Sequence, residues 1–338
     1  MTEIRNQLQQ AFIHPAEWSW TKNGAHQGRV QHWVHTIEKW EKSIEQIDAV
    51  ILGLPLSRSS ISVSGASEYP LAFRKGWKGF STYNIDESID LAPLNVVDLG
   101  DVAMHGTDIV ESQKRIQQAM EAVLQAFPSA ITINIGGDHS VTASAVRGLK
   151  AVTDNETIGI FQFDTHLDLR DPAENGPSNG TPIRQLIEAG VVKGNHVYNI
   201  GLHGYFNSPD LIHYAKKHSV NMITLNKARQ QGIVQTVRRA LASLQQQVDR
   251  IYVTVDMDVL DVSFAPGVPA STPGGMFTHE LFAALLEVGK HDEFKHIDFV
   301  CLDPLKDESA SPTVKAGIYS FLQVLSGVII TRNQINGT

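Results

Sequence analysis

Three short polar clusters in this sequence carry the residue types that bind divalent cations. They are residues 136–140 (GGDHS), 164–168 (DTHLD) and 256–261 (DMDVLD). Each cluster follows directly on a run of apolar residues that reads as a buried strand. In open parallel sheets the active site lies just beyond the carboxyl ends of the strands. We therefore expect the three clusters to meet at one edge of a sheet.

The spacing within the clusters brings ionisable side chains together. Side chains two residues apart in an extended segment point to the same side, so Asp164, His166 and Asp168 converge. The third cluster repeats this spacing with two carboxylates, and neighbouring carboxylates repel unless a positive charge compensates them. A bound cation provides that charge. The predicted metal ligands are His139, Asp164, His166, Asp168, Asp256 and Asp258.

Each cluster also has a simpler interpretation when it is taken alone. The first reads as a glycine turn with an incidental histidine, the second as a solvated loop, and the third as a helix cap beside a surface acid. These interpretations leave the recurrence at three strand ends unexplained. Asp138 and Asp261 stand next to the predicted ligands, and we expect them to support the ligands from outside the set.

The ligand types narrow the choice of metal and of reaction. Carboxylates with two imidazoles suit a hard or borderline ion, with Mn²⁺ the leading candidate. The single cysteine, Cys301, excludes a cysteine-rich zinc site. Six ligands are too many for one tetrahedral ion but fit two ions that share carboxylates. Paired ions about 3.5–4 Å apart lower the pKa of a water held between them, which predicts a hydrolase.

The rest of the chain predicts the scaffold. Apolar, β-branched runs alternate with amphipathic stretches, which favours one α/β domain with a mainly parallel sheet between two helical layers. The predicted domain spans residues 46–338 and follows an N-terminal extension, 1–45, with one helix near 30–45. The predicted strands are 49–54, 96–99, 130–135, 157–163, 196–201, 220–224, 250–255 and 296–302. The predicted helices are 108–127, 140–150, 181–189, 208–218, 232–248, 278–290 and 311–325.

Composition limits the classes of partner. The chain has 338 residues and a net charge of −8, without a basic block. This balance argues against nucleic acid and anionic membrane as partners. The polar N-terminus lacks the apolar core of a signal peptide, and no apolar run approaches the roughly 20 residues that span a bilayer. With one cysteine no internal disulfide forms, so we expect a cytoplasmic protein.

The three clusters together resemble, in order and spacing, the three signatures of the ureohydrolase superfamily, which includes arginases, agmatinases and formimidoylglutamases. Weaker matches lie at 98–101 (DLGD) and at Gly65, Ala66, Pro70 and Arg74. The resemblance covers the chain from about residue 49 to the C-terminus. It implies an arginase-like fold, a binuclear manganese centre that attacks an amidine or guanidine carbon, and a homo-oligomer, either trimer or hexamer.

The same resemblance implies how two ions share the ligands. One ion takes the residues that match His139, Asp164, Asp168 and Asp256. The other takes those that match Asp164, His166, Asp256 and Asp258. Asp164 and Asp256 would therefore bridge the ions.

The segment 176–185 (GPSNGTPIRQ) looks most like the formimidoylglutamase branch, because it has no histidine near Asn179, where agmatinases and arginases place one. The implied substrate is N-formimidoyl-L-glutamate, cleaved to L-glutamate and formamide during histidine degradation. Arg170 or Arg184 could bind a substrate carboxylate, since a guanidinium matches a carboxylate in two hydrogen bonds. For both arginines a surface role is the alternative. Asn179 and His203 are further candidates for substrate contact, with a structural role as the alternative for His203.

Cys301 departs from the family pattern. The family usually has a glutamate here, two residues before an Asp/Asn-Pro pair, whereas this chain has 300–304 (VCLDP). A thiol cannot pair with a cationic substrate as a carboxylate does, so Asp303 could take over or the substrate differs. Two alternatives stay open: a guanidino-compound hydrolase that releases urea, such as an agmatinase or guanidinobutyrase, and a subunit with little or no turnover. A nucleotide-binding protein fits less well, since no phosphate-binding glycine loop follows the first strand.

Overall fold

A ten-stranded sheet forms the centre of the protein in a computed structural model, which describes residues 1–20, 28–153 and 155–336. The strands of this described part are β1 (Ile13–His14), β2 (His35–Thr36), β3 (Ala49–Leu54), β4 (Tyr83–Asn84), β5 (Ile89–Asp90), β6 (Val96–Val102), β7 (Ile131–Gly136), β8 (Ile158–Phe163), β9 (Val192–Leu202), β10 (Asn221–Thr224), β11 (Arg250–Asp256) and β12 (His296–Val300). β4 and β5 form a separate hairpin.

The order of strands in the sheet is β1-β6-β3-β7-β12-β11-β8-β9-β10, with β2 also paired to β6. All neighbours run parallel except β1, which is antiparallel to β6. β3, β7 and β8 are buried at every position, as expected of parallel strands covered on both faces. The sheet therefore contributes to two hydrophobic cores, one on each side.

Helices cover both faces of the sheet. They are α1 (Thr2–Gln10), α2 (Val30–Trp33), α3 (Tyr69–Gly76), α4 (Ile109–Ala126), α5 (Ser140–Val152), α6 (Pro172–Asn175), α7 (Pro182–Glu188), α8 (Pro209–Lys217), α9 (Leu225–Gln231), α10 (Ile233–Gln245), α11 (Thr278–Gly289) and α12 (Pro312–Asn336). One core takes side chains from α3 and α9 to α12, and the other takes them from α1, α4, α5, α7 and α8. This confirms the predicted three-layer α/β/α fold.

All eight predicted strands and all seven predicted helices are present, with ends that shift by a few residues. The exception is the last helix, predicted over 311–325, which continues to Asn336 as α12. α12 is the one helix of the described residues that is long and apolar enough to cross a membrane. Most of that stretch is buried against its neighbours, including α3 and α11, so α12 is a core helix.

The predicted helix near 30–45 is wrong. The segment instead contains the short α2, the strand β2 and two 3₁₀ turns. The indole nitrogen of Trp33 donates to the carbonyl of Leu94 at 2.8 Å. Trp40 is buried in the core that α1, α4, α5, α7 and α8 cover. These tertiary contacts outweigh the weak helical preference of the segment. The boundary of the extension at residue 45 stays a prediction, and part of the extension lies outside the described residues.

Arg74 and the 98–101 segment, which resemble the family more weakly, form a buried ion pair that fixes α3 to the sheet. The guanidinium of Arg74 contacts Asp98 at 2.7 Å and Asp101 at 2.8 Å, both on β6. Because Arg74 and Asp98 are almost completely buried, loss of one partner would leave an uncompensated charge in the core.

Candidate metal centre

The three polar clusters meet at the carboxyl ends of neighbouring strands. In the sheet, β7, β12, β11 and β8 lie side by side, and each ends at the same edge. His139 follows β7, Asp256 ends β11, and Asp164 follows β8. The parallel register therefore brings together residues that are more than 100 positions apart in the sequence.

Local backbone geometry places His139 and Asp168. A Cβ atom at Gly137 would lie 1.8 Å from the carbonyl oxygen of Leu56, so only glycine permits this turn before His139. Asp168 has a φ of 53°, a left-handed conformation that costs energy for a residue with a side chain. Cys301 is left-handed as well, with a φ of 60°. Backbone strain therefore coincides with the candidate site.

His139 faces three carboxylates through one ring nitrogen. Its Nδ1 lies 2.7 Å from Asp168 Oδ2, 3.1 Å from Asp256 Oδ2 and 3.3 Å from Asp164 Oδ2. Its other nitrogen, Nε2, lies 2.9 Å from the hydroxyl of Thr254. Nδ1 and the three carboxylates thus form one compact group of possible ligand atoms.

His166 forms a second group next to the first. Its Nδ1 lies 2.9 Å from Asp258 Oδ2 and 3.6 Å from Asp164 Oδ1. Asp164 therefore directs one oxygen towards His166 and the other towards His139. The ligand atoms of His139, Asp164 and Asp256 lie within 4.8 Å of one another. Those of Asp164, His166 and Asp258 do so as well, so Asp164 belongs to both sets.

Burial and mutual repulsion change the pKa values of the carboxylates in the site. Burial, followed by the charges of Asp258 and Asp164, raises the pKa of Asp256 to about 8. Burial and the charge of Asp164 raise the pKa of Asp168 to about 6. Asp164 behaves differently, because its contacts with His139 and His166 outweigh burial and lower its pKa. The four carboxylates therefore carry more negative charge than the two histidines of the site can neutralise.

The histidines respond in the opposite direction. Burial alone would lower the pKa of His139, but the charge of Asp168 and the other nearby carboxylates raise it well above its ordinary range. Burial likewise lowers the pKa of His166, but the charges of Asp258 and Asp164 outweigh burial and raise this pKa to about 12. Without metal, these two imidazolium groups serve as the counter-ions of the carboxylates.

The donor set fits divalent cations better than it fits a hydrogen-bonded cluster. His139 Nδ1 and Asp168 Oδ2 lie 2.7 Å apart, yet within the described residues neither atom makes a hydrogen bond. Buried polar atoms without partners are rare and require an explanation. Once the imidazole is deprotonated, Nδ1 and the carboxylate oxygens face a common point, which is the arrangement that an oxygen- and nitrogen-binding ion such as Mn²⁺ requires.

Amide and hydroxyl side chains hold the loop after β8 in place. Gln162 donates to Asp164 Oδ2 at 2.6 Å, and Asn199 donates to the carbonyl of His166 at 2.6 Å. Asn207 accepts from the amide of Leu167 at 2.8 Å. Such contacts orient ligands and are as important to a metal site as the ligands themselves.

A pocket of about 110 Å³ opens above the carboxylates. Three of the predicted substrate-binding residues line it, namely Arg170, Asn179 and Cys301. Asn179 accepts a hydrogen bond from the amide of Ile61 at 2.8 Å, which ties the 61–62 segment to the pocket. Burial raises the pKa of Cys301 well above its ordinary range, and Asp256 and Asp258 add to the rise, so the thiol is neutral.

Arg184, His203 and Asp303 do not line this pocket, and their contact with substrate stays a prediction. Arg184 is held by Asp171 at 2.6 Å and Glu188 at 2.7 Å. His203 lies 2.8 Å from the carbonyl of Gly201 and 3.1 Å from the Thr272 hydroxyl. Asp303 is buried and accepts from the amides of Gly65 and Leu305. Each has a structural role that satisfies its polar atoms.

Asp138 and Asp261 form hydrogen bonds with loop residues next to the cluster. Asp138 accepts from the hydroxyl of Ser59 at 3.0 Å and from the amide of Ser140 at 3.0 Å. Asp261 accepts from the amides of Ser263 at 2.9 Å and Gly274 at 2.6 Å. Among the described residues neither carboxylate accepts a hydrogen bond from a predicted ligand, so both act by shaping loops around the site.

Phe206 was missed by the sequence analysis. Its ring lines the pocket and packs edge-on against His166, with 6.2 Å between the ring centroids. The signal in the sequence was an aromatic residue directly after a buried strand, three positions beyond His203. Ring packing of this kind limits the positions that His166 can adopt.

The family follows from comparison with known proteins. The model of the arginase family matches residues 47–326. The chain belongs to the arginase family. Among relatives of this arginase-family protein, a formimidoylglutamase of Halalkalibacterium halodurans is 42% identical over 280 residues, 83% of this chain and 87% of the relative.

Solved structures of arginase-family proteins agree with this assignment. The crystal structure of formimidoylglutamase from Bacillus subtilis covers 95% of this chain and 97% of its own, with a TM-score of 0.84 and 34% identity. A Trypanosoma cruzi formiminoglutamase solved with Mn²⁺ has a TM-score of 0.78 and 25% identity, covering 89% of this chain and 98% of its own. The fold expected from the sequence resemblance is therefore confirmed.

Proposed function

We propose that this protein hydrolyses N-formimidoyl-L-glutamate to L-glutamate and formamide, at a centre that holds two Mn²⁺ ions. Relatives named formimidoylglutamase support the broader class, a hydrolase that cleaves C–N bonds of linear amidines. The observation that carries the proposal is the placement of Asp164. Its two oxygens face His139 and His166 separately, as a carboxylate shared between two ions requires.

Each ion would take one histidine and the carboxylates around it. The first would bind His139, Asp164, Asp168 and Asp256, and the second would bind Asp164, His166, Asp256 and Asp258. When bound, such a pair supplies a nucleophilic water at neutral pH. The protein contributes fixed ligand positions, held by Gln162 and Asn199, and a pocket that places the amidine carbon over the carboxylates.

The pocket favours an anionic amidine. Arg170 lines it and forms no ion pair with any of the described residues, so its guanidinium is available for a substrate carboxylate. Asn179 keeps the opposite segment in place through Ile61. The neutral thiol of Cys301 provides no counter-charge for a cationic amidinium or guanidinium, so the substrate carboxylates would supply the charged contacts through Arg170.

The cellular setting is part of the same proposal. Formamide and glutamate as products would place the enzyme in histidine degradation, and we propose a cytoplasmic location and a trimeric or hexameric assembly. The catalytic domain would span 46–338, with 1–45 as an extension whose β1 and β2 pair with β6.

An assay of products tests the proposal against its rivals. Purified chain reconstituted with Mn²⁺ would be offered N-formimidoyl-L-glutamate, agmatine and 4-guanidinobutyrate. We expect formamide from the first and no urea from the others. Urea from a guanidine would favour a guanidino-compound hydrolase, and inertness of a folded, metal-loaded chain towards the whole panel would favour a non-catalytic subunit.

A further inference from the structure

Polar side chains cross the buried middle of the sheet beneath the candidate metal centre. The register pairs Asp298 of β12 with Thr254 of β11 on one side and with Asn134 of β7 on the other. All three are completely buried. Strands covered on both faces are normally apolar, and burial of polar groups is costly unless their hydrogen bonds are made. A row of this kind therefore requires a compensating role.

Hydrogen bonds join this row into one network centred on Asp298. Asp298 Oδ2 accepts from the hydroxyl of Thr142 at 2.7 Å and from the phenol of Tyr252 at 2.9 Å. The Tyr252 oxygen in turn accepts from Asn134 Nδ2 at 3.0 Å. The hydroxyls of Thr142 and Thr254 lie 3.4 Å apart. The network thus extends from Asn134 across the sheet to Thr254.

Thr254 connects the network to the metal centre. It lies two residues before Asp256 on β11, hence on the same face, and its hydroxyl is 2.9 Å from His139 Nε2. A carboxylate only accepts hydrogen bonds, so the hydroxyls around Asp298 direct their protons towards it. Because Thr142 donates its hydroxyl proton to Asp298, Thr254 is the donor in the 3.4 Å contact between the two hydroxyls. The Thr254 oxygen then has a lone pair available for Nε2.

We propose that Thr254 and Asp298 are positioning residues that fix the ring of His139 in the form with its proton on Nε2. Nδ1 is then the nitrogen left to bind metal, and it is directed towards the three carboxylates around it. The inference rests on the proposed metal centre. It predicts an asymmetry, because within the described part of the chain the network contacts His139 and not His166, so it sets the affinity of the His139 ion alone.

Titration of the metal-free chain with Mn²⁺, followed by calorimetry, tests this role. Thr254→Val removes the acceptor with little change in volume, and we expect the affinity of one ion to fall about 10- to 100-fold, the usual effect of losing such a contact. Thr254→Ser restores the hydroxyl and should restore the affinity. Thr132→Val is the matched control, since its buried hydroxyl on β7 has no partner among the described residues.

Circular dichroism of each variant establishes that it is folded before metal is added. If Thr254→Val does not fold, Asp298→Asn carries the test, because an amide donates as well as accepts and disturbs the direction of the network. Weakened binding of one ion in Asp298→Asn supports the inference. Wild-type affinity for both ions in a folded Thr254→Val or Asp298→Asn overturns it.

The two proposals fail in different ways. Wild-type chain that binds no second ion contradicts the proposed metal centre. If the wild-type chain binds two ions and a folded Thr254→Val binds both with unchanged affinity, only the positioning role is contradicted. Equal weakening by Thr254→Val and Thr132→Val would also overturn it, because a general loss of packing would then be the cause.

Discussion

Replacement of Arg170 by methionine removes the guanidinium that the proposed function assigns to a substrate carboxylate. Arg170 lines the pocket and is exposed, and its stem runs beside Gly180, where a Cβ atom would lie 2.7 Å from Arg170 Cδ. The glycine therefore leaves the space that the stem occupies. Methionine preserves most of the stem, so that the change isolates the charge.

The expected loss follows from the exposure of the guanidinium. A hydrogen bond to a charged group contributes about 1.5–3 kcal/mol, or roughly 10- to 150-fold in affinity. Because water and salt screen an exposed charge, the lower end applies, and we expect KM for N-formimidoyl-L-glutamate to rise about 10-fold. The carboxylate is remote from the reacting carbon, so kcat should stay within about twofold.

Steady-state kinetics with two substrates and two variants measure this effect. N-Butylformamidine lacks both carboxylates, so Arg170→Met should leave its hydrolysis unchanged. Arg184→Met is the matched control, because Asp171 and Glu188 already hold that guanidinium outside the pocket. An unchanged KM in Arg170→Met would refute the assignment, and so would an equal loss for both substrates.

Three further predictions concern the metal centre. Asp164→Ala removes the carboxylate common to both ligand groups, so we expect metal content by mass spectrometry and activity to fall together to background; surviving activity would show that the ligand assignment is wrong. In the metal-free chain the pKa of His166 is raised from 6.5 to about 12, so its ion pairs stabilise the fold fully below pH 6.5 and are lost as pH rises towards 12. The melting temperature without metal should therefore fall between about pH 6.5 and 9.5, and Mn²⁺ should reverse the fall; a rise would contradict this. Cys301→Glu adds a carboxylate to the pocket and should produce urea from 4-guanidinobutyrate above the wild-type background; a metal-loaded variant that releases none would speak against the proposed effect of Cys301.

The ligand geometry was predictable because it depends on simple periodicity. An extended chain places alternate side chains on one face, and parallel strands end at one edge of the sheet. These two rules were enough to bring His139 next to Asp164 and Asp256. The helix near 30–45 could not be predicted in the same way, because the path of that segment depends on where Trp33 and Trp40 pack.

The choice among the candidate substrate-binding residues depends on tertiary contacts for a related reason. Arg170 and Arg184 are both arginines near the same cluster, and the predicted helix over 181–189 favours a solvated face for Arg184 without showing what it contacts. The difference arises in three dimensions, where Arg184 meets Asp171 and Glu188 and Arg170 does not. The network around Asp298 did leave a signal, a charged residue inside an apolar strand, but its partner Thr254 becomes evident only from the strand register.

The most direct test of the proposed function follows the formimidoyl carbon through the reaction. N-Formimidoyl-L-glutamate labelled at that carbon would be incubated with the Mn²⁺-loaded chain in oxygen-labelled water and observed by NMR and mass spectrometry. We predict that the carbon label and one solvent oxygen appear in formamide, together with an equal amount of L-glutamate. The metal-free chain should form neither product. Substrate that stays intact with the metal-loaded chain would contradict the account.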